Sequence, residues 1–168
     1  GNTVWTDYSF SAMIRSDDPS GDIGLIFRAQ STDGNHYRFV WSRGAVNNYR
    51  LERVTGGVPV GIGTAGSAAY TPGRWYHVEI QAVGSLLRVY IDGVLALSAT
   101  DTTWPTGRIG LYADSQNAAF YDDVLVTRLD NLACAVGAND LVTYTLTISN
   151  QNRLPGYDLV ITDVVPMD

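Results

Sequence analysis

The chain contains no lysine, so all 11 of its basic residues are arginines. Glutamate is almost as scarce, with only Glu52 and Glu79 beside many aspartates. Helix surfaces are usually built from lysine, glutamate, glutamine and alanine, so this balance argues against a helical protein. Glycine (17 residues) and tyrosine (10 residues) are abundant, which favours strands joined by tight turns. The composition therefore predicts an all-β fold.

Positive charge is also in short supply, since the formal net charge is −6 at pH 7. Binding to a phosphate backbone requires clustered positive charge, so we expect no nucleic acid partner. No apolar run approaches the roughly 18 residues that a transmembrane helix requires, so we expect no membrane insertion in this segment. An acidic, lysine-free surface suits a solvated protein, and we expect an extracellular or cell-surface location.

Cysteine occurs once, at Cys134, which excludes an internal disulfide. The thiol is either a small buried apolar group or the partner of a cysteine outside this chain, and both alternatives stay open. The sequence begins at Gly1, without an initiator methionine, and stops at Asp168. We therefore expect it to be part of a larger multidomain chain.

Apolar residues recur at every second position over most of the sequence. Between Asp22 and Trp41 two such runs flank the turn formers Asp33-Gly34-Asn35. Period two is the signature of a strand with one buried face, so this stretch predicts a β-hairpin. Residues 75–98 repeat the pattern around Asp92-Gly93, which suits a type I′ turn.

Residues 1–129 contain about ten such short strands and no convincing helix. This regular spacing predicts a two-sheet antiparallel jelly-roll sandwich. From Asp140 onward the sequence becomes rich in threonine and valine, and tryptophan is absent. We therefore expect a domain boundary near residue 130. Residues 130–168 are too few for a complete two-sheet domain, so we expect an incomplete second one.

The first domain resembles a known family. The segments WTDYSFSAMIR, DIGLIFRAQ, RWYHVEIQAVGSLLRVYIDG, GRIGLYA and FYDDVLV follow in order over residues 5–128. They resemble the laminin-G-like, concanavalin-type jelly-roll domains of bacterial secreted glycan-binding and glycan-degrading proteins. In that family a further strand usually precedes the WTDY-like segment, and we expect this sequence to lack it. The resemblance implies a lectin-like or adhesion role and, often, one structural calcium ion.

The second segment resembles the start of the conserved Ig-like repeat of bacterial surface proteins. That repeat has a Tyr-Thr strand, an asparagine-containing turn, and a strand that ends in an aspartate and a proline. Tyr144, Asn150, Asp163 and Pro166 stand at the matching positions. The resemblance implies that residues 130–168 are an incomplete Ig-like surface repeat.

Period two predicts an inward orientation for Phe27, Phe39, Val78, Ile80, Val89 and Leu111. It also predicts which side chains leave the core and could bind a glycan. Aromatic faces contact the C–H surface of a sugar ring, and planar arginine and carboxylate groups bond to pairs of hydroxyls. We expect Arg28 to face outward with Glu79 and Tyr90 as neighbours. The alternatives are a solvated face with ordinary cross-strand pairs, or a patch divided between two sheets. The candidate residues are Arg28, Arg38, Glu79, Arg88, Tyr90 and Tyr112, with Trp104 as a loop platform or as a lid on the core.

Aspartates supply a candidate calcium site. Asp18 and Asp22 lie around the first turn, and Asp122 begins a late strand. Calcium takes six to eight oxygen ligands from carboxylates and carbonyls of adjacent loops. The alternative is that these aspartates bond only to their own turns. A structural calcium ion is therefore a candidate cofactor.

Catalytic motifs are scarce. Glycosidase chemistry uses two carboxylates across a cleft, and Glu79 has no evident partner. His36 and His77 do not have metal-ligand spacing, and neither a nucleophile elbow nor a phosphate loop occurs. We therefore expect no enzyme, but a carbohydrate-binding or adhesion module whose partner is a polysaccharide. The alternatives are a structural spacer without ligand and a glycoside-hydrolase-associated enzyme domain.

Overall fold

The computed structural model describes residues 5–30, 34–43 and 48–129, where every regular element is a β-strand. Within these ranges no helix is long and apolar enough to cross a membrane. The all-β prediction is confirmed. The strands are β1 (Tyr8–Ser16), β2 (Asp22–Ala29), β3 (His36–Ser42), β4 (Tyr49–Thr55), β5 (Val58–Gly66), β6 (Tyr76–Val83), β7 (Leu86–Ile91), β8 (Val94–Thr100), β9 (Arg108–Asp114) and β10 (Ala119–Arg128).

The strands form two five-stranded antiparallel sheets. The front sheet has the order β5-β4-β3-β2-β9, and the back sheet has the order β10-β1-β6-β7-β8. The predicted two-sheet sandwich is therefore confirmed. The predicted hairpin is β2 and β3, which pair from Asp22↔Ser42 to Phe27↔Tyr37. At the second hairpin both Asp92 and Gly93 have positive φ, as a type I′ turn requires.

The core lies between the sheets and follows the alternation of the sequence. Phe27, Phe39, Val78, Ile80 and Val89 are completely buried, which confirms the inward orientation predicted for them. Each such side chain contributes about 1.5–3 kcal/mol through removal from water.

Leu111 is the exception to the predicted core. It faces Leu25 across the β2–β9 pair but remains 46% exposed. The reason is that β9 is an edge strand of the front sheet, so a side chain there has neighbours on one side only.

Chain contacts separate a first compact unit, Gly1–Leu132, from a second, Ala133–Asp168. The second unit lies outside the described residues, and so do Cys134 and the predicted Ig-like repeat. The domain boundary expected near residue 130 and the identity of the second segment stay predictions.

Asp101 fastens the β8–β9 connection to the front sheet. Its carboxylate accepts hydrogen bonds from the Tyr37 hydroxyl, from Arg53 Nη1 at 2.6 Å and from the Thr103 amide at 2.8 Å. Burial opposes ionisation, but the bonds from Tyr37 and Thr103 and the charge of Arg53 hold the pKa of Asp101 at about 2. The ionised carboxylate is therefore part of the folded structure.

This depressed pKa predicts acid sensitivity. A carboxyl group with a folded pKa below its unfolded value of about 3.9 stabilises the fold above pH 4, and this stability is lost as pH falls toward 2. We expect the contribution to be about 1–2 kcal/mol, because the site is partly screened by solvent. Urea unfolding at pH 7, 4 and 2.5 should show a weaker pH dependence in Asp101→Asn than in the wild type. Equal pH dependence in both proteins would reject this assignment.

Candidate functional site

A polar network covers the outer face of the front sheet. Its members alternate along the strands with core residues such as Phe39 and Leu51, so their side chains leave the core on the opposite side. Pairing then brings them together, since Arg38 stands opposite Glu52 and Asp22 stands opposite Ser42. We call this set the front-face network: Asp22, Arg38, Ser42, Arg50, Glu52 and Tyr112.

Glu52 is the centre of the front-face network. Its Oε2 accepts from Arg38 Nε at 2.6 Å, and its Oε1 accepts from Arg50 Nε. The Glu52 side chain is only 8% exposed, whereas those of Arg38 and Arg50 are 16% and 26% exposed. Charge-assisted bonds to both oxygens fix this carboxylate and, through it, the planes of the two guanidinium groups.

Arg50 carries the network to β2. Its Nη1 donates to Ser42 Oγ at 2.7 Å and its Nη2 donates to Asp22 Oδ2 at 3.2 Å, while Ser42 Oγ donates to Asp22 Oδ1. Burial opposes the charge of Arg50, but its bonds and ion pairs with Glu52 and Asp22 raise its pKa above the usual range. Arg50 is therefore a fixed cation within the site.

The other arginine of the network, Arg38, uses only some of its hydrogen-bond donors. The guanidinium of Arg38 lies 4.6 Å from the centre of the Tyr112 ring. Among the described residues its Nε bonds to Glu52, and its two Nη groups have no hydrogen-bond acceptor. Nitrogen donors that are held in place beside an aromatic ring can recognise a ligand with several hydroxyl groups.

His36 lies beside Arg38 on β3, two residues away on the same face. Its Nε2 is buried and has no hydrogen-bond partner among the residues that the structure describes. Burial lowers the pKa of His36, and the charge of Arg38 acts in the same direction. The imidazole is therefore neutral at pH 7, with one ring nitrogen unused.

Three of the predicted site residues lie on the opposite sheet. Glu79 pairs with Tyr90, and Gln81 pairs with Arg88, on the outer face of the back sheet. Burial opposes the charge of Glu79, but hydrogen bonds from Ser9 at 2.6 Å and Gln81 at 3.0 Å lower its pKa. The predicted glycan-binding residues are thus divided between the two sheets, since Arg38 and Tyr112 belong to the front sheet.

The outward orientation predicted for Arg28 is wrong. The β2–β9 register shifts between Ile26 and Ala29, and Arg28 has a positive φ of 48°. This bulge breaks the alternation and turns the side chain inward, where it is completely buried. Arg28 therefore lies on neither outer face and has neither Glu79 nor Tyr90 as a neighbour on a shared strand pair.

Trp104 packs as a lid rather than as an exposed platform. It is half-buried against the core, and its indole Nε1 is buried and bonds to none of the described residues. Its amide donates to the Tyr37 hydroxyl at 3.1 Å. From the sequence alone, Trp104 is a candidate either for a platform under a glycan or for a lid on the core. The structure shows the lid.

The three candidate calcium ligands do not come together. Asp18 Oδ1 accepts from the amide and hydroxyl of Ser20, and its Oδ2 accepts from the amide and side chain of Asn117. The hydrogen bonds from Ser20 and then from Asn117 lower the pKa of Asp18. Asp22 belongs to the front-face network, whereas Asp122 is exposed on β10.

In the described part of the chain, no group of three His, Cys, Asp or Glu side chains is placed to hold a metal ion. Calcium binding stays a prediction. A bound structural ion would stabilise the fold, so a chelator would lower Tm, and an unchanged Tm would reject it.

Sequence reasoning missed Glu52 and Arg50, which do most to organise the site. A usable signal was present in YRLERV, where Arg50 and Glu52 alternate around Leu51. The decisive information is the β3–β4 register, which sets Glu52 opposite Arg38 and Arg50 opposite Val40.

A family model described as "3-keto-alpha-glucoside-1,2-lyase-like domain" matches residues 2–127. The chain is also similar to a levanase of Bacillus sp. (strain L7), with 30% identity over 122 residues. The similar region is 70% of this chain but only 13% of that levanase. The chain thus corresponds to a small part of the relative.

Solved structures give the same fold. The carbohydrate binding module CBM66 from Bacillus subtilis matches with a TM-score of 0.64 and 21% identity, over 72% of this chain and 74% of that one. Sheep galectin-11 in complex with glycerol matches with a TM-score of 0.56 and 10% identity, over 75% of this chain and 93% of that one. These similarities confirm the jelly-roll fold of the predicted resemblance, whereas the matching family model is not described as laminin-G-like.

Proposed function

We propose that this chain, which belongs to the family of 3-keto-alpha-glucoside-1,2-lyase-like domains, acts through its jelly roll as a non-catalytic carbohydrate-binding module. The glycan binds on the outer face of the front sheet. The observation that carries this proposal is Arg38, held by Glu52, set against Tyr112, and with both Nη groups unused among the described residues. The fold shared with a carbohydrate binding module and a galectin supports it.

The front-face network suits a sugar because its geometry is set before the ligand arrives. Adjacent hydroxyls of a sugar bond to the Nη groups of Arg38, while Tyr112 offers apolar ring surface beside them. Glu52 and Arg50 hold these groups in place, so little side-chain freedom is lost on binding.

Retention on immobilised or insoluble polysaccharides tests the proposal. Levan is the first ligand to try, because the curated relative is a levanase. We expect Arg38→Ala to weaken binding at least tenfold, equivalent to about 1.4 kcal/mol. Arg108→Ala is the matched control, since Arg108 is an exposed arginine on β9 outside the front-face network.

Two results would contradict the proposed site. If a folded wild-type protein bound nothing in a broad glycan panel, the chain would be a structural spacer. If Arg88→Ala removed binding and Arg38→Ala did not, the glycan would lie on the back sheet with Glu79, Arg88 and Tyr90.

An enzyme is the second candidate function, because the matching family description refers to a lyase. A lyase that acts on a 3-keto-α-glucoside requires a base to remove a proton next to the keto group. Both oxygens of Glu52 are occupied by arginines, so the neutral His36 with its unused Nε2 is the better candidate base. Incubation with a 3-keto-α-glucoside, followed by NMR, tests this alternative. Turnover that His36→Gln abolishes would make the domain an enzyme.

The remaining assignments concern the longer protein. We propose a secreted or cell-surface location and a multidomain parent chain, supported by the small share of the levanase that the similarity covers. An adhesion role, a laminin-G-like origin and an Ig-like second segment also remain proposals. The sequence of the full gene and fractionation of the producing cells test them.

A further inference from the structure

Arg28 is the largest side chain that is completely buried in the described residues. It occupies the bulge in β2 with a φ of 48°, a conformation that is strained for a non-glycine residue. The surrounding structure holds this strained residue in place, and the bulge gives its cation a position at the end of the core.

The bonding of Arg28 is incomplete. Its Nη2 donates to the Thr6 carbonyl at 2.7 Å and its Nη1 donates to the Trp104 carbonyl at 3.3 Å. Its Nε is buried and has no acceptor in the described part of the chain, and the same holds for Nε1 of Trp104. No carboxylate among the described residues forms an ion pair with Arg28. A buried cation that bonds only to neutral carbonyls retains most of its desolvation penalty.

The charged and titratable groups around Arg28 do not cancel its charge. Asp7 is the carboxylate that interacts with it electrostatically, but Asp7 Oδ1 accepts from the Gly84 amide at 2.6 Å. The Tyr8 hydroxyl is neutral and offers Arg28 no negative charge, since burial raises its pKa to about 12. Tyr37 is also neutral, because burial and its bond to Asp101 raise its pKa.

An opening of about 340 Å³ adjoins this cation. This volume is at the lower end of the range of roughly 300–1,000 Å³ for small-molecule sites, so it suits a single small group. Besides Arg28, the opening is lined by Thr6, Asp7, Gly84, Ser85, Thr102 and Pro105.

We propose that this opening is an anion site that takes a small carboxylate, such as that of a uronic acid sugar, against the guanidinium of Arg28. A planar carboxylate matches the planar N–H groups of arginine. Because Arg28 is completely buried in this structure, its guanidinium must turn toward the opening to meet the ligand. The proposal does not depend on glycan binding at the front-face network, which lies on the outer face of the front sheet.

The full chain titrated with sodium glucuronate tests this site, with glucose and sodium chloride at equal ionic strength as controls. Calorimetry gives the affinity, and tryptophan fluorescence, to which all four tryptophans contribute, gives a second readout of binding. We expect glucuronate to bind, to raise Tm and to change the fluorescence. Glucose and chloride should have none of these three effects. Binding of acetate as well would show that the carboxylate alone suffices. Equal effects of glucuronate and chloride would overturn the proposal.

Variants locate the site. We expect Arg28→Met to lose glucuronate binding and Arg108→Met, the matched exposed arginine, to keep it. Should Arg28→Met fail to fold, Asp7→Asn gives an independent test. Removing the nearby negative charge should tighten binding about fivefold. Unchanged or weaker binding in Asp7→Asn, or wild-type affinity in folded Arg28→Met, would refute the carboxylate site. Retention of polysaccharide by these variants reports separately on the front-face network.

Discussion

Replacing Glu52 with alanine is expected to lower the free energy of unfolding by about 3 kcal/mol and to abolish glycan binding. The substitution leaves the partly buried guanidinium groups of Arg38 and Arg50 without their shared acceptor. Removing one member of a buried charge pair costs about 3–5 kcal/mol, and the partial exposure of both arginines places this case at the lower end. Urea unfolding measures the first effect, and retention on polysaccharide measures the second.

Glu79→Ala is the matched control, since Glu79 is the other glutamate of the chain and lies on the opposite sheet. It bonds to the neutral side chains of Ser9 and Gln81, so its loss should cost less than about 1 kcal/mol and leave binding intact. Equal destabilisation by the two substitutions would show that the front-face network is an ordinary solvated surface.

Gly24→Ala is expected to destabilise the protein by about 3 kcal/mol, although it adds a single methyl group. A Cβ at this position would lie 1.9 Å from the carbonyl oxygen of Phe39. Gly24 pairs with Val40 on one side and with Tyr112 on the other, so the backbone can relieve the contact only by separating β2 from β3. Overpacking of this kind costs about 1–3 kcal/mol or more.

Gly61→Ala serves as the control, because a Cβ there meets nothing within 4 Å. Thermal and urea unfolding of both variants would separate a steric effect from the general entropy change of a glycine substitution. The same stability for Gly24→Ala and Gly61→Ala would mean that the β2–β3 pair accommodates a side chain at this point.

The fold could be predicted because the alternation of apolar and polar residues along the chain corresponds to the alternation of inward and outward side chains in the strands. Phe27 and Phe39 are buried as period two requires, and Asp92-Gly93 forms the expected turn. The orientations of Glu79, Arg88 and Tyr90 followed from the same rule, since they share one outer face. Period two assigns a face within a strand but does not say which strands share a sheet. The division of the candidate residues between two sheets could therefore be named as an alternative but not decided.

Arg28 and Glu52 show the limits of that rule at the site. A bulge shifts the alternation by one residue, and nothing in the letters of β2 marks the positive φ of Arg28. Glu52 gains its role from Arg38, which is on a different strand and is set opposite to it by register. Which residues of different strands stand opposite each other depends on how the strands pair, and this pairing cannot be read from a single sequence.

The position of β1 in the back sheet has a consequence for synthesis. β1 lies between β6 and β10, and Tyr8 near one end of the chain pairs with Arg128. Pairing of such distant segments is slow to form. A ribosome-bound chain that has not yet released β10 leaves one edge of β1 unpaired, next to a hydrophobic core that is not yet closed. This domain therefore completes its folding only after its last strand has emerged, and chaperones that bind exposed strands have the longest time to act on β1.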